Sequence, residues 1–168
     1  MSRETVAVAL ETPIGVVSVA ATRDGLRRVQ LPGRALRSSD DGAAPEAAAH
    51  ARAAAAQLQE YFAGERRTFD VPLDWSGVEA LHRNVLEELL ASAPFGHTVT
   101  YGELGLRAGE SDPRDVGQMM ARNPLPLVVP CHRVVAADGL GGYGGGLELK
   151  RRLLELEGVL PPRLLDAP

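Results

Sequence analysis

Cysteine occurs once in the 168 residues, at Cys131, so no internal disulfide can form, which fits a reducing, cytoplasmic setting. With that one thiol and four histidines, a four-ligand zinc site is not expected, and neither is any other metal or cofactor. No apolar run approaches the roughly 20 residues of a membrane-spanning helix, so no membrane partner is expected. The opening segment MSRETVAVALETPIG lacks the apolar core and small-residue cleavage site of a signal peptide. There is no internal repeat. Basic excess is also missing: 18 Lys+Arg stand against 22 Asp+Glu, a net charge of −4, so bulk charge does not by itself mark a nucleic-acid binder. Lysine is nearly absent, with Lys150 the only one. Arginine forks onto phosphates and stacks on bases, but a general preference for arginine explains the bias as well. Any case for nucleic acid must come from local residues. What remains, 45% hydrophobic and 24% charged, is an ordinary globular chain, large enough for one medium domain or two small ones. Disordered, collagenous and coiled-coil chains are excluded.

Along the chain, TVAVAL, IGVVSVAA and LRRVQL (5–10, 14–21 and 26–31) are short β-rich runs separated by turn signals. Residues 32–46 are rich in Gly, Ser, Asp and Pro and are expected to form a loop. An alanine-rich helical pattern follows over 47–62 and stops at Gly64. FDVPLDW is expected to be extended, and a domain boundary is placed after residue 75, giving units 1–75 and 76–168. In the second, Val78, Leu81, Val85 and Leu89 recur at helical spacing. Thr100-Tyr-Gly-Glu103 has the form of a capping box opening a helix over 101–108, and Asp112-Pro113 opens another that reaches about Arg122. Two short helices joined by a Gly-containing turn make a helix-turn-helix. LPLVVP is expected to run extended into Cys131, and a glycine-rich loop over 139–146 precedes a last helix closed by Gly158.

Chemistry concentrates at Pro130-Cys131-His132-Arg133. A thiol is a nucleophile once it is a thiolate, and a base or cation nearby favours that form. A cysteine after an apolar run is equally read as an inert core residue. Neighbours on a strand face opposite ways, so Cys131 and His132 cooperate only if the chain bends there; Pro124, Pro126 and Pro130 allow it. Glu157 is a candidate to orient His132, though by sequence it is one of 22 acids. Arg114, at the start of the second short helix, can point outward toward DNA, and helix-start amides favour phosphate; Asp112 and Asp115 oppose this, and helix pairs also serve as plain packing. Gly117 and Ala121 allow close approach of a partner. The loop GLGGYGGG lacks the ending of a phosphate-binding P-loop and the βαβ context of a dinucleotide site. Its glycines would admit a flat ligand beside Tyr143, or simply form a surface loop.

Taken together, VTYGEL (99–104), RDVGQMMARNPLPLVVPCHRVV (114–135) and GLGGYGGGLELKRRLLELEG (139–158) resemble the O6-alkylguanine-DNA alkyltransferases, the methylated-DNA–protein-cysteine methyltransferases. TPIG (12–15) and YFAGE (61–65) are similar to that family's N-terminal domain. The resemblance implies an α/β N-terminal domain with a ribonuclease-H-like sheet and a mainly α C-terminal domain with a helix-turn-helix. It implies a cytoplasmic, monomeric, single-turnover methyltransferase acting on double-stranded DNA from the minor groove. Cys131 would accept the alkyl group, with His132 as its base through a water and Glu157 orienting the imidazole. Tyr101 would help to flip the nucleotide and donate a proton, Asn123 would hold the active-site turn, and Arg114 would fill the gap in the duplex. DNA would also meet Asp115, Gly117, Gln118 and Arg122. Tyr143 and Gly144 would wall the base, and the backbone at Cys131 and Val134 would read its edge. The chain departs from the family pattern at Asp115, expected to pair with Arg114, at Met119, at LHRNVL (81–86) and at Gly144. Relatives that bind lesions without transfer lack the cysteine, and a cysteine hydrolase is a third reading of Cys131, His132 and Glu157.

Overall fold

The computed structural model describes residues 5–40, 42–110 and 112–163. The first four residues of the opening segment, Asp41 in the expected 32–46 loop and the end of the 76–168 unit therefore lie outside the described residues. The chain divides into two compact units. One holds the chain up to Val78 together with Pro124–Val128, and the other holds Glu79–Asn123 and Val129 onward.

In the first unit, three strands, β1 (Val6–Thr12), β2 (Gly15–Thr22) and β3 (Gly25–Gln30), form an antiparallel meander. The expected runs account for all three. Residues 32–46 are not all loop: Ser39–Asp40 form a two-residue β4 on the outer edge of β1, giving the order β3-β2-β1-β4. Both residues of β4 are exposed, so no alternation of side chains could announce a strand held by backbone bonds alone. Helix α1 (Pro45–Phe62) lies against β1, β2 and β3. Its buried face is mostly alanine, at 47, 48, 51, 54 and 55, which lets helix and sheet approach closely. Leu58, Tyr61 and Phe62 fill the wider end, with Tyr61 edge-on to Phe62 at 5.1 Å between ring centres.

LPLVVP is not extended. Residues 125–129 form consecutive turns, Leu127 has a φ of 74°, and Leu125, Leu127, Val128 and Val129 are buried. Prolines at 124, 126 and 130 remove the donors a strand ladder needs, so an apolar run that reads as a strand packs as turns. Just before it, Val29 N–H of β3 donates to Pro124 O at 2.9 Å.

The second unit is helical. Helix α2 (Ala80–Ser92) buries Val85, Leu86 and Leu89, while Leu81, expected on the same stripe, is 43% exposed. His82, one residue on, turns inward instead, its Nε2–H donating to the Met119 carbonyl at 2.8 Å. Helix α3 (Tyr101–Ala108) ends at Gly109 in the left-handed conformation, and α4 (Pro113–Ala121) follows. The Thr100 hydroxyl accepts the Glu103 N–H at 3.1 Å, but Glu103 reaches the Thr100 hydroxyl, not its backbone N–H. Helix α5 (Leu147–Leu156) closes the unit. Gly105 sets the α3–α4 spacing: a Cβ there would lie 2.6 Å from Glu110 O and 3.2 Å from Val116 Cγ2. Gly105→Ala should therefore destabilise the protein by about 1–3 kcal/mol through overpacking, read as a lower midpoint in urea unfolding; an unchanged midpoint would show that α4 yields freely.

Candidate active site

The second unit also carries a small parallel pair, β5 (Val99–Thr100) with β6 (Val134–Val135). It decides the site. β5 leads directly into Tyr101 at the start of α3, and β6 follows directly on Cys131–Arg133. Pairing the two short strands brings the tyrosine and the cysteine to one place, although thirty residues separate them in sequence.

Cys131–Arg133 is one turn of 3-10 helix, the bend that the adjacent Cys and His require. Arg133 N–H closes it on Pro130 O at 2.9 Å, and Asn123 Nδ2 donates to Val129 O at 2.9 Å, bracing the approach. Side chains on a 3-10 turn point about a third of a revolution apart, so Cys131 and His132 leave in different directions. Cys131 lines a cavity of about 540 Å³, within the usual ~300–1,000 Å³ of small-ligand sites. Tyr101, Arg114, Gly117, Gly142, Tyr143 and Gly144 line it too, with Pro113, Met120 and Ala121 of α4. Val134, expected to face a base, is fully buried and not among the lining residues; its carbonyl accepts from Lys150 Nζ at 2.6 Å.

Behind the thiol, His132 is fully buried and Glu157 nearly so. His132 Nε2–H donates to Glu157 Oε2 at 2.7 Å. Arg133, which the sequence left outside the site, grips the same carboxylate: Nε donates to Oε1 at 2.7 Å and Nη2 to Oε2 at 3.1 Å, while Nη1 donates to Ala93 O at 2.8 Å. Burial pushes the Glu157 carboxyl up, but the bonds from His132 and Arg133 outweigh it and hold its pKa at about 2. Since Glu157 is ionised it can only accept, so the proton of His132 sits on Nε2 and Nδ1 keeps its lone pair, buried and without a protein partner. Burial lowers the pKa of His132 in spite of Glu157, keeping the imidazole neutral and able to take a proton.

The other groups around the cavity are neutral by burial. Burial raises the Cys131 thiol, partly offset by a hydrogen bond from the Asn123 side chain and the charge of Lys150. Tyr101 and Tyr143 are raised by burial and by the thiol beside them, so both remain phenols that can donate a proton. Tyr101 O–H donates to Gly142 O at 3.2 Å, whereas the buried Tyr143 hydroxyl has no partner among the described residues. Gly141 fits because of Tyr101: a Cβ there would lie 2.7 Å from Tyr101 Cε2.

Arg114 stands at the cavity rim with its side chain 91% exposed. The expected pair with Asp115 is not what forms. Asp112 Oδ1 lies 3.5 Å from Arg114 Nε and also accepts the Arg114 backbone N–H at 2.9 Å. An N-cap carboxylate is already turned toward the first helical residues, which places it nearer the arginine than the next residue along the helix. Arg114, Asp115, Gln118 and Arg122 are all exposed and Gly117 is half-buried, so the expected DNA-facing residues share the outer surface of α4. Lys150, the second cation absent from the sequence-derived site, is fully buried. Its one signal was being the sole lysine.

A single thiol opening into a base-sized cavity beside a helix-turn-helix, backed by a neutral imidazole and an ionised carboxylate, is the layout of a protein that takes a group onto its own cysteine. Comparison with known proteins agrees. Residues 80–159 match the family model for the DNA-binding domain of 6-O-methylguanine DNA methyltransferase, and residues 8–75 match that for its ribonuclease-like domain. A methylated-DNA–protein-cysteine methyltransferase of Mycobacterium leprae is 41% identical over 150 residues, 88% of this chain and 89% of the relative. One from Methanopyrus kandleri is 53% identical over 107 residues, 63% of this chain and 79% of the relative. The crystal structure of Mycobacterium tuberculosis OGT in complex with DNA superposes with a TM-score of 0.77 at 37% identity, covering 90% of this chain and 91% of that one. The chain belongs to the methylated-DNA–protein-cysteine methyltransferase family: a ribonuclease-like α/β domain followed by a helical DNA-binding domain.

The Glu157 pair makes stability depend on pH. Its folded pKa of about 2 lies below the ordinary 4.5, so its contribution is fully present above pH 4.5 and is lost as pH falls toward 2. Denaturant titrations across that range should show the loss, and Glu157→Gln should flatten it. Glu157→Ala, which strands a buried Arg133, should cost about 3–5 kcal/mol; equal pH slopes in wild type and Glu157→Gln would contradict the assignment.

Proposed function

We propose that this chain repairs DNA by direct reversal, moving the alkyl group from O6 of a guanine in duplex DNA onto Cys131. The observation that carries the reading is that Cys131 lines the cavity and is followed in the chain by the buried His132–Glu157 pair. An alkyl group on O6 lies within the base stack, so the nucleotide must first be swung out. Arg114, at the rim, occupies the space it leaves. Approach is from the minor groove, where small residues on α4 and a contact read mainly by shape ask for little positive charge. Gly117 and the exposed Asp115, Gln118 and Arg122 form the rest of that surface.

In the cavity, Tyr143 and Gly144 flank the base and the backbone at Cys131 meets its edge. His132 takes the thiol proton on Nδ1 through one water, and Glu157 holds the resulting imidazolium. The thiolate attacks the alkyl carbon in line. The S–C bond forms as the C–O6 bond breaks, and the electron pair leaves with guanine, which Tyr101 protonates. Asn123 holds the turn that aims the sulfur. The thioether is stable, so each molecule acts once, and the reaction needs no cofactor. The protein works as a cytoplasmic monomer that associates with DNA; no helix among the described residues is long and apolar enough to cross a membrane.

Mass spectrometry after incubation with a duplex containing O6-methylguanine should find one methyl group on Cys131 and none in Cys131→Ser. Wild-type protein left unmodified at excess substrate would reject the reaction, and tight binding without transfer would point to a lesion-binding role. Tyr101→Phe should slow single-turnover transfer by about 10²–10⁴-fold, the usual contribution of a general acid; a rate within twofold of wild type would remove Tyr101 from that role. Asp112→Asn keeps an oxygen to cap α4 but releases Arg114 from a carboxylate. It should tighten duplex binding at low salt and lose that advantage as salt rises, measured by fluorescence anisotropy. Equal affinities at low salt would show that Asp112 does not restrain Arg114.

A further inference from the structure

The chain's one lysine is buried where nothing in the proposed transfer uses it. Lys150 is fully buried on α5. Its ammonium donates to Val134 O at 2.6 Å, to Gly142 O at 3.0 Å and to Leu140 O. Three donors thus meet three carbonyls, which is the full hydrogen-bonding capacity of an ammonium. The carbonyls come from two places. Val134 is the first residue after the Cys131–Arg133 turn, and Leu140 and Gly142 belong to the glycine-rich loop that carries Tyr143. Gly142 O also accepts the Tyr101 hydroxyl, and Lys150 Nζ lies 5.8 Å from the centre of the Tyr101 ring. One cation therefore ties the thiol's turn, the loop walling the cavity and the tyrosine of α3.

Burying a cation is costly unless it is paired or fully bonded. An uncharged side chain of similar length could pack in this place without that cost. The charge has a use if the site develops negative charge, and the group that does so is the Cys131 thiol, which feels Lys150 directly.

We propose that Lys150 is a positioning residue of this active site, clamping the glycine-rich loop to the Cys131 turn and serving as counter-charge to the Cys131 thiolate. The assignment rests on the alkyl-transfer reading of the site for its purpose, but not for its measurement. Burial draws the Lys150 pKa down to about 8, and the Cys131 charge opposes that fall. The titratable groups facing Lys150 are Cys131 and His132 on the 3-10 turn and Tyr101 on α3. Tyr101 stays neutral by burial, and the Lys150 charge helps to keep His132 in its neutral, basic form. The thiol is the one group of the three that must be ionised before transfer begins, and the ammonium favours that form. The thioether left by transfer cannot ionise, so the methylated protein can no longer form this ion pair.

The test reads the thiol and the lysine separately from repair. The pH dependence of Cys131 alkylation by iodoacetamide gives the apparent thiol pKa. Lys150→Gln and Lys150→Met should raise it by about one unit or more, equivalent to about tenfold less thiolate at a given pH below it. The same variants should slow methyl transfer at saturating duplex while leaving duplex affinity within twofold, because the outer face of α4 is untouched. Should neither variant fold, wild-type protein carrying 15N-labelled lysine gives a single side-chain signal to follow by NMR. In wild type that signal should also shift as the Cys131 thiol ionises, a step absent in Cys131→Ser and after methylation of Cys131, since neither can form the thiolate. An unchanged thiol pKa in the Lys150 variants, or a lysine signal indifferent to ionisation of Cys131, overturns the proposal. A wild-type protein with coupled thiol and lysine that gains no methyl group would instead overturn the repair reading and leave the coupling standing.

Discussion

The buried carboxylate of Glu157 organises the active site. Two consecutive residues, His132 and Arg133, bond the same pair of oxygens, which requires the chain to turn tightly there and sets the direction of Cys131 just before them. Because the carboxylate is ionised, it fixes which nitrogen of His132 carries hydrogen and which is left free. Arg133 balances the charge, so the imidazole does not have to be protonated to do so. A lone His–Glu pair in the same place would draw His132 toward its charged form, in which it could not act as a base.

Around that pair, charge is distributed with a common sense. Within the site Arg133 and Lys150 are buried cations and Glu157 a buried anion, while Cys131, Tyr101, Tyr143 and His132 are neutral at rest. Such a site is prepared for negative charge to appear on sulfur and for a phenol to give up a proton, as the proposed transfer demands. Pre-set dipoles and charges need no rearrangement when the reaction begins. Lys150 and the Asn123 amide both favour charge on the sulfur, and Nδ1 of His132 is left without a partner among the described residues.

The helices were legible because their signals are local. Thr100, Gly109 and the Asp112-Pro113 pair mark α3 and α4 through bonds made within a few residues. Side-chain directions were less legible. Leu81 fits the stripe of α2 but faces out, because His82 takes a carbonyl of α4 that only the folded unit supplies. The run at 125–130 carries strand-forming residues, yet its prolines leave a strand without donors. The Asp115 expectation failed for a geometric reason: the capping bond of Asp112 aims its carboxylate at Arg114. β4, β5 and β6 are two residues long, too short for any period to register.

By itself the sequence determined the helix-turn-helix boundaries, the three-stranded meander, the single thiol and, through PCHRV and the glycine-rich loop, the family. Each of these depends on residue types or on bonds to near neighbours. Only the tertiary structure decided which of the 22 acids stands behind His132, that Arg133 shares it, and that the lone lysine lies against the thiol's turn. Those contacts join positions far apart in the chain. Their partners are selected by a pairing such as Val99 with Val134 and by the cost of leaving a buried charge unmatched, and neither leaves a mark in the spacing of residues.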